Sequence, residues 1–393
     1  MILGLSQALA MAGPPMVILL GGIIGSELAP YPSWATLPVA IMIVGVAFSS
    51  IPASLLMRKI GRRFGFMAGV GVAALAASGA AYAIRLESFS LFCIAIFFMG
   101  ANIAFVQQYR FAAVESVEAA YAGRAISFVL LCSIVGGYLG PEVGKRAKDL
   151  LDYGQYTGSF VSLTVLYSLT AVLLFFLKDL KVQERAIAGD EEERSLRVIV
   201  IQPLYFTAIC GAAVGYGTMS LIMTATPISM HVMDGYSLED TAWVIQSHVI
   251  AMYLPSLFTG HLMHRFGVLK VMMTGVILLF LCIGIALLHA HLLHYWGALV
   301  LLGVGWNFLF IGGTTLLTET YRPAERFKAQ ATNEFTVFGI QAITSLTAGT
   351  LIFLAGWNLL TLIPLPILAL MLVLLFARQR EASGSRLRES EVG

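Results

Sequence analysis

Twelve apolar runs, each roughly long enough to cross a bilayer as a helix, follow one another along the chain with short polar breaks between them. They fall near residues 3–25, 34–57, 66–85, 89–112, 123–144, 157–177, 200–226, 240–263, 268–289, 294–318, 329–354 and 357–377. Backbone in hydrocarbon has no water to bond, so each run is expected to be a helix that closes its own hydrogen bonds. The residue-by-residue alternation that a membrane barrel needs is absent. Of the 393 residues, 58% are hydrophobic and 12% charged, where a soluble domain carries about 25% charged residues. The expected fold class is an all-α membrane protein of twelve transmembrane helices. The run from Leu3 to Gly25 has no Lys or Arg before it and is too long for the apolar core of a removable signal. It is expected to be the first span.

Charge placement gives an orientation. With the N-terminus inside, twenty of the 24 Lys and Arg fall on inner loops and ends, and only Arg85, Lys145, Arg146 and Lys148 fall outside. Cytoplasmic loops carry just such an excess, so a bacterial inner membrane with both termini cytoplasmic is expected. Residues 178–199 are polar and charge-dense and divide the runs six and six. They have too few apolar residues for a core of their own and read as a cytoplasmic linker. The expected units are a six-helix bundle over 1–177, the linker over 178–199, a second bundle over 200–378 and a cytoplasmic tail over 379–393. A net charge of +2 does not point to nucleic acid. Cys93, Cys132, Cys210 and Cys282 lie inside apolar runs without metal-ligand spacing, and no Gly-x4-Gly-Lys-Ser/Thr loop is present. No cofactor, metal or enzymatic activity is expected; the expected partners are a small-molecule substrate and the lipid bilayer, with a functional monomer.

The two halves repeat. Ser54–Gly61 after the second run matches Gly260–Gly267 after the eighth at an offset of 206 residues, with Leu56, Met57, Lys59 and Gly61 on Leu262, Met263, Arg265 and Gly267. Gly100-Ala-Asn102 matches Gly305-Trp-Asn307, and Arg124-Ala125 matches Lys328-Ala329, at nearly the same offset. Three matches in order argue for duplication of a six-helix unit.

On these residues the chain resembles the major facilitator superfamily, whose halves are paired six-helix bundles. That family's loop motif, Gly-x-Leu-x-Asp-Arg-x-Gly-Arg-Arg, finds Ser54, Leu56, Arg58, Lys59, Gly61, Arg62 and Arg63 at its places. Arg58, and His264 in the second copy, replace the family's Asp, which removes a carboxylate expected to help lock one conformation. The resemblance implies a secondary transporter working by alternating access, with its site between the halves at mid-membrane. Thr224–Pro227, Val244–Val249, Pro255–Gly260 and Gln107–Ala113 resemble a group of bacterial facilitators that includes riboflavin carriers, so a riboflavin-like vitamin is the substrate this resemblance implies. The alternative is proton-coupled efflux. Gly136, Gly140, Pro141 and Gly144 form part of an exporter motif and equally suit close helix packing. Ile96 stands where exporters of the family carry an arginine.

Candidate site residues follow from depth and helical spacing. Asn102 and Asn307 lie mid-run at matched positions, and each amide in hydrocarbon needs partners, a substrate or a neighbouring helix. Asn102 and Tyr109 share one face, Asn307, Phe310 and Thr314 another, Trp243, Gln246, Ile250 and Tyr253 a third, and Glu334, Phe338, Gln341 and Ser345 a fourth. Aromatic walls with a few amides suit a neutral or zwitterionic organic solute. Arg58, Lys59, Gly61, Arg62, Arg63, Gly260, Arg265 and Gly267 are gate-loop candidates, with Arg110 available to pair Glu319 or Glu334 at an inner gate. His248 is the candidate for a coupling proton, because it is a mid-depth group that titrates near neutrality; an interhelical hydrogen bond is the competing reading.

Overall fold

The computed structural model describes residues 1–116, 122–151, 154–177, 194–288, 291–322 and 325–392, and it is helical almost throughout. The helices are α1 (Ile2–Ala10), α2 (Gly13–Leu28), α3 (Leu37–Ile60), α4 (Arg62–Arg85), α5 (Phe89–Val106), α6 (Tyr109–Glu115), α7 (Ala122–Ala147) and α8 (Thr157–Phe175) in the first half. The second half holds α9 (Leu196–Val200), α10 (Pro203–Pro227), α11 (Leu238–Tyr253), α12 (Ser256–Phe266), α13 (Val268–Ala286), α14 (Leu292–Thr318), α15 (Arg326–Leu362) and α16 (Leu365–Val392). In chain order they sit on the twelve stretches expected from hydropathy. Among the described residues nine runs are apolar and long enough to span a membrane, and one of these, Lys328–Glu381, covers the last two expected spans. The more polar α7 and the pair α11–α12 occupy the fifth and eighth places.

Breaks fall where the chemistry puts them. Pro14 and Pro15 follow the break between α1 and α2, and Pro255 stands between α11 and α12; proline has no N–H to continue the ladder. Gly356, with φ 73° and ψ 175°, interrupts α15 and turns the chain from the eleventh expected span into the twelfth. The expected tail continues α16 as helix through Val392. Most of the expected linker, residues 178–193, lies outside the described residues, as do the side chains of Arg58 and Arg124.

The repeat is visible in the packing. In the first half α3 packs on α5, α4 on α5 and α4 on α8; in the second, α11 packs on α14, α13 on α14 and α13 on α16. The duplicated loops share a backbone as well: Gly61 has φ 85° and ψ 159°, Gly267 φ 89° and ψ 148°. Left-handed φ of this kind is open to glycine at little cost, which explains the glycine in both copies. Helix association in lipid rests on close packing by small residues. A Cβ on Gly140 would stand 2.0 Å from the Ala12 carbonyl oxygen, so the partial exporter motif in α7 is used here to let α7 approach the first span.

The halves meet at the end remote from the chain termini. There Gln246 Nε2 donates to the Tyr138 carbonyl at 3.0 Å, and Lys145 Nζ lies 3.3 Å from Glu239 Oε1, each joining α7 to α11. Lys145 is also 3.0 Å from Glu142. A Cβ on Gly349 of α15 would stand 2.3 Å from Thr36 Oγ1 at the start of α3. At the termini end α6 and α12 pack chiefly within their own halves. A Cβ on Gly260 would meet nothing within 4 Å. Contacts of α7 with α11 thus join the halves at the far end.

Candidate functional site

Five aromatic rings of the second half gather at mid-depth. Tyr216 of α10 lies edge-on to Trp306 (5.1 Å between ring centroids) and Phe310 (5.2 Å) of α14 and to Phe338 (5.7 Å) of α15. Trp306 and Phe310, one turn apart, stack at 5.0 Å with planes 15° apart, and Tyr253 closes on Trp306 at 6.2 Å. Tyr253 ends α11, beside the proline break, which aims it at this cluster. On α15, Glu334, Phe338 and Gln341 follow at helical spacing and share a face.

Arg110 of α6 completes the arrangement from the other half. Its guanidinium acts electrostatically on Tyr216, Tyr253 and Glu334, and Glu334 acts on Tyr216. The indole Nε1 of Trp306 is buried and finds no acceptor among the described residues. Such a cluster combines aromatic rings with a buried donor that has no acceptor among the described residues.

The residues chosen from sequence divide. Tyr253 and Phe310 belong to the cage, while Glu334 and Gln341 share the face of α15 that carries Phe338; the sequence placed Arg110 and Glu334 at a gate. Asn307 points away: its Nδ2 donates to the Met252 carbonyl (2.7 Å) and Ser256 Oγ (2.8 Å), and its Oδ1 accepts from Thr259 Oγ1 (2.8 Å). The competing helix-tie reading fits that geometry, with the break between α11 and α12 stitched to α14. Asn102 is 1% exposed and neither amide atom has a partner among the described residues. Tyr109 is buried against Phe66 at 4.6 Å inside the first half. Trp243 stacks on Trp296 at 5.7 Å and, with Gln246, borders a groove at the far end beside Tyr138, Lys145 and Glu239. His248 is fully buried, and its Nδ1 bonds the Leu299 carbonyl at 2.7 Å between α11 and α14. It faces the interior of one half rather than the space between halves.

Sequence reasoning passed over Tyr216 and Trp306 as site residues. Trp306 sat inside the matched Gly-x-Asn triplet, yet attention went to Asn307 because a buried amide asks for a partner. Neighbours on a helix point about 100° apart, and here the tryptophan faces the cage while the asparagine faces α11 and α12.

Of the gate candidates, Lys59 is exposed at the end of α3, and Arg62 and Arg63 open α4, with Arg63 over the rings of Phe64 (5.5 Å) and Phe175 (5.1 Å). Arg265 lies over Phe266 at 5.3 Å, and Glu319 is exposed where α14 ends. A clamp that the sequence did not announce lies nearby. Arg194, at the end of the linker, grips the fully buried Glu325 carboxylate with its guanidinium and its backbone N–H (2.6–3.2 Å). These bonds hold the Glu325 carboxyl well below the usual carboxylate range, at about 2. Lys328 Nζ donates to the Arg194 carbonyl at 2.6 Å. The linker is thereby fixed to the start of α15, two turns before Glu334.

Comparison with known proteins agrees with this architecture. The family model described as Major Facilitator Superfamily matches residues 2–252 and again 208–392. The chain is 40% identical over 377 residues to the riboflavin transporter RfnT of Brucella anthropi, covering 96% of this chain and 94% of that protein. It is 30% identical to the MFS-type transporter YdeG of Bacillus subtilis, over 84% of this chain and 80% of the other. A crystal structure of a bacterial homologue of the human lysosomal transporter Spinster, in an inward-facing and occupied conformation, superposes with a TM-score of 0.74 at 13% identity over 96% of each chain, a likeness of fold. Repeated halves and duplicated loops therefore have one source: this chain belongs to the major facilitator superfamily and is a multi-pass membrane transporter, not an enzyme.

Proposed function

We propose that the chain carries riboflavin across a bacterial inner membrane by alternating access, with the flavin ring held against the cage of Tyr216, Tyr253, Trp306, Phe310 and Phe338. The observation that carries this reading is the gathering of aromatic rings itself. A flat tricyclic ring matches stacked and edge-on aromatic faces. Its carbonyls and ring nitrogens are acceptors for Trp306 Nε1–H and Arg110. The relative RfnT, named as a riboflavin transporter, supports the same substrate. The experiment is uptake of labelled riboflavin by a riboflavin-auxotrophic bacterium expressing the chain, with growth rescue as its companion. Expression at the membrane without uptake, exchange or rescue overturns the substrate.

In this reading both termini are cytoplasmic, which the charge asymmetry supports, and the α7–α11 contacts lie on the outer side. A reporter fused at the C-terminus should read as cytoplasmic. The basic loop of Lys59, Arg62 and Arg63, and its copy at Arg265, close the inner side when the halves rock. Neutralising Arg62 should then slow transport several-fold while leaving equilibrium binding within about twofold. His248 is a tie within the second half rather than the seat of a coupling proton. One copy of the chain contains both halves and the whole cage, so a monomer suffices.

A further inference from the structure

The two matched loops follow different helices. In the first half α3 runs unbroken from Leu37 to Ile60, through Pro52. Its copy is cut into α11 and α12 at Leu254 and Pro255. Both residues of the cut keep helical dihedrals (φ −58°, ψ −41° and φ −62°, ψ −23°), so ladder hydrogen bonds are lost without the chain turning away. On one side of the cut α11 is fixed to α14. His248 Nδ1 bonds the Leu299 carbonyl at 2.7 Å, and a Cβ on Gly303 would stand 2.8 Å from the His248 carbonyl oxygen. On the other side α12 is buried only at Thr259 and Met263. Asn307 holds the two pieces together. Its Nδ2 donates to the Met252 carbonyl of α11 and to Ser256 Oγ of α12, and its Oδ1 accepts from Thr259 Oγ1 of α12, all at 2.7–2.8 Å. Asn102, its match on α5 beside the unbroken α3, bonds nothing among the described residues.

We propose that Leu254–Pro255 is a hinge and Asn307 its pin: α12 swings at this joint, carrying the loop of Arg265, while α11 stays on α14. The first half lacks the joint, so α3 and its loop move as one piece. Hinges are a few residues at the ends of elements that absorb a change of dihedral angle. Side-chain bonds between helices in lipid are individually modest, so the pin can hold in one conformation and release in the next. The inference needs the chain to be a transporter and does not depend on which solute it carries.

Distances read the hinge without any solute. In a variant with Cys93, Cys132, Cys210 and Cys282 replaced by alanine, nitroxide labels are attached at His261→Cys on α12 and Leu281→Cys on α13, both exposed positions. The matched pair, 206 residues earlier, is Leu55→Cys on α3 and Leu75→Cys on α4. Asn307→Leu should at least double the width of the spin-label distance distribution of the first pair, Thr259→Val should widen it less, and the second pair should keep its width in both. Adding Pro255→Ala to Asn307→Leu rejoins the helix and should return the first pair to the parent width. Unchanged widths in both single variants, or equal widening of both pairs, overturn the proposal, and Thr259→Val decides it if Asn307→Leu does not fold. In the native-cysteine protein Pro255→Ala should slow riboflavin uptake at least fivefold with equilibrium affinity within twofold. Uptake at the wild-type rate overturns the part of the hinge in transport. Widths that respond as expected in a chain that takes up no riboflavin uphold the hinge and reject that solute.

Discussion

Asn102 and Asn307 stand at matched places in a duplicated triplet, and their surroundings are opposite. Asn307 spends its amide on three bonds to α11 and α12. Asn102 is equally buried and bonds nothing among the described residues. The five rings of the cage are likewise all in the second half, while the first half adds Arg110. Duplication preserved the helix pairings and the loop glycines and let the chemistry diverge. Function cannot be carried from one copy to the other by position alone.

Several substitutions break or sharpen that contrast. The largest effect is expected at Trp306→Ala, which removes both a stacking face and the donor. Riboflavin affinity should fall at least thirtyfold, about 2 kcal/mol, measured by flavin fluorescence in detergent. Phe105→Ala, on α5 of the first half, should change affinity less than threefold. Comparable losses at both would mean the site is shared between halves.

Next comes Asn307→Leu, which leaves the Met252 carbonyl and the Ser256 and Thr259 hydroxyls without their amide. Thermostability in detergent should drop by about 1–2 kcal/mol, with affinity per folded molecule preserved. Asn102→Leu replaces an amide that bonds nothing and should be neutral or slightly stabilising. A clear loss at Asn102 would reveal a bond made in the other conformation.

A smaller effect concerns the linker clamp. Because Arg194 holds the Glu325 carboxyl at about 2 when folded, against 4.5 ordinarily, the clamp contributes fully above pH 4.5 and is lost as pH falls through about 2. Glu325→Gln should therefore lower the unfolding temperature at pH 7, and the gap to wild type should shrink between pH 4.5 and 2. A gap that is constant with pH would mean the carboxylate charge is not what grips Arg194. The smallest effect is expected at Trp243→Ala, whose ring stacks on Trp296 away from the cage: riboflavin affinity should stay within twofold.

How much could be read from sequence depended on which physics dominated. The bilayer dictates length and hydropathy, so the spans, and even the turn at Gly356, stood out as gaps in apolar runs. The repeat was legible because Gly61 and Gly267 share a backbone need that only one residue type meets cheaply. The cage was not, because its rings come from α10, α11, α14 and α15, and an aromatic residue in a membrane helix looks the same whether it faces lipid, a neighbour or a solute. Polar residues drew attention at Asn307 and His248, where the polarity is spent on Met252 and Leu299 within one half. Arg110 and Glu334 were noticed as charges, but the gathering of Tyr216 with Trp306, Phe310 and Phe338 is visible only in three dimensions.

A cage lodged almost wholly in one half has a kinetic consequence. A solute stacked on the rings of α10, α14 and α15 travels as a passenger of that half while the other half swings past it. Its main contacts need not be remade between the two open states, so the carrier should grip its cargo with similar strength from either side of the membrane. Half-saturation concentrations measured in right-side-out and inside-out vesicles should then agree within a few-fold, and net movement would follow whichever reservoir is fuller. A tenfold disparity between the two orientations would show that the first half contributes more than Arg110 to the hold.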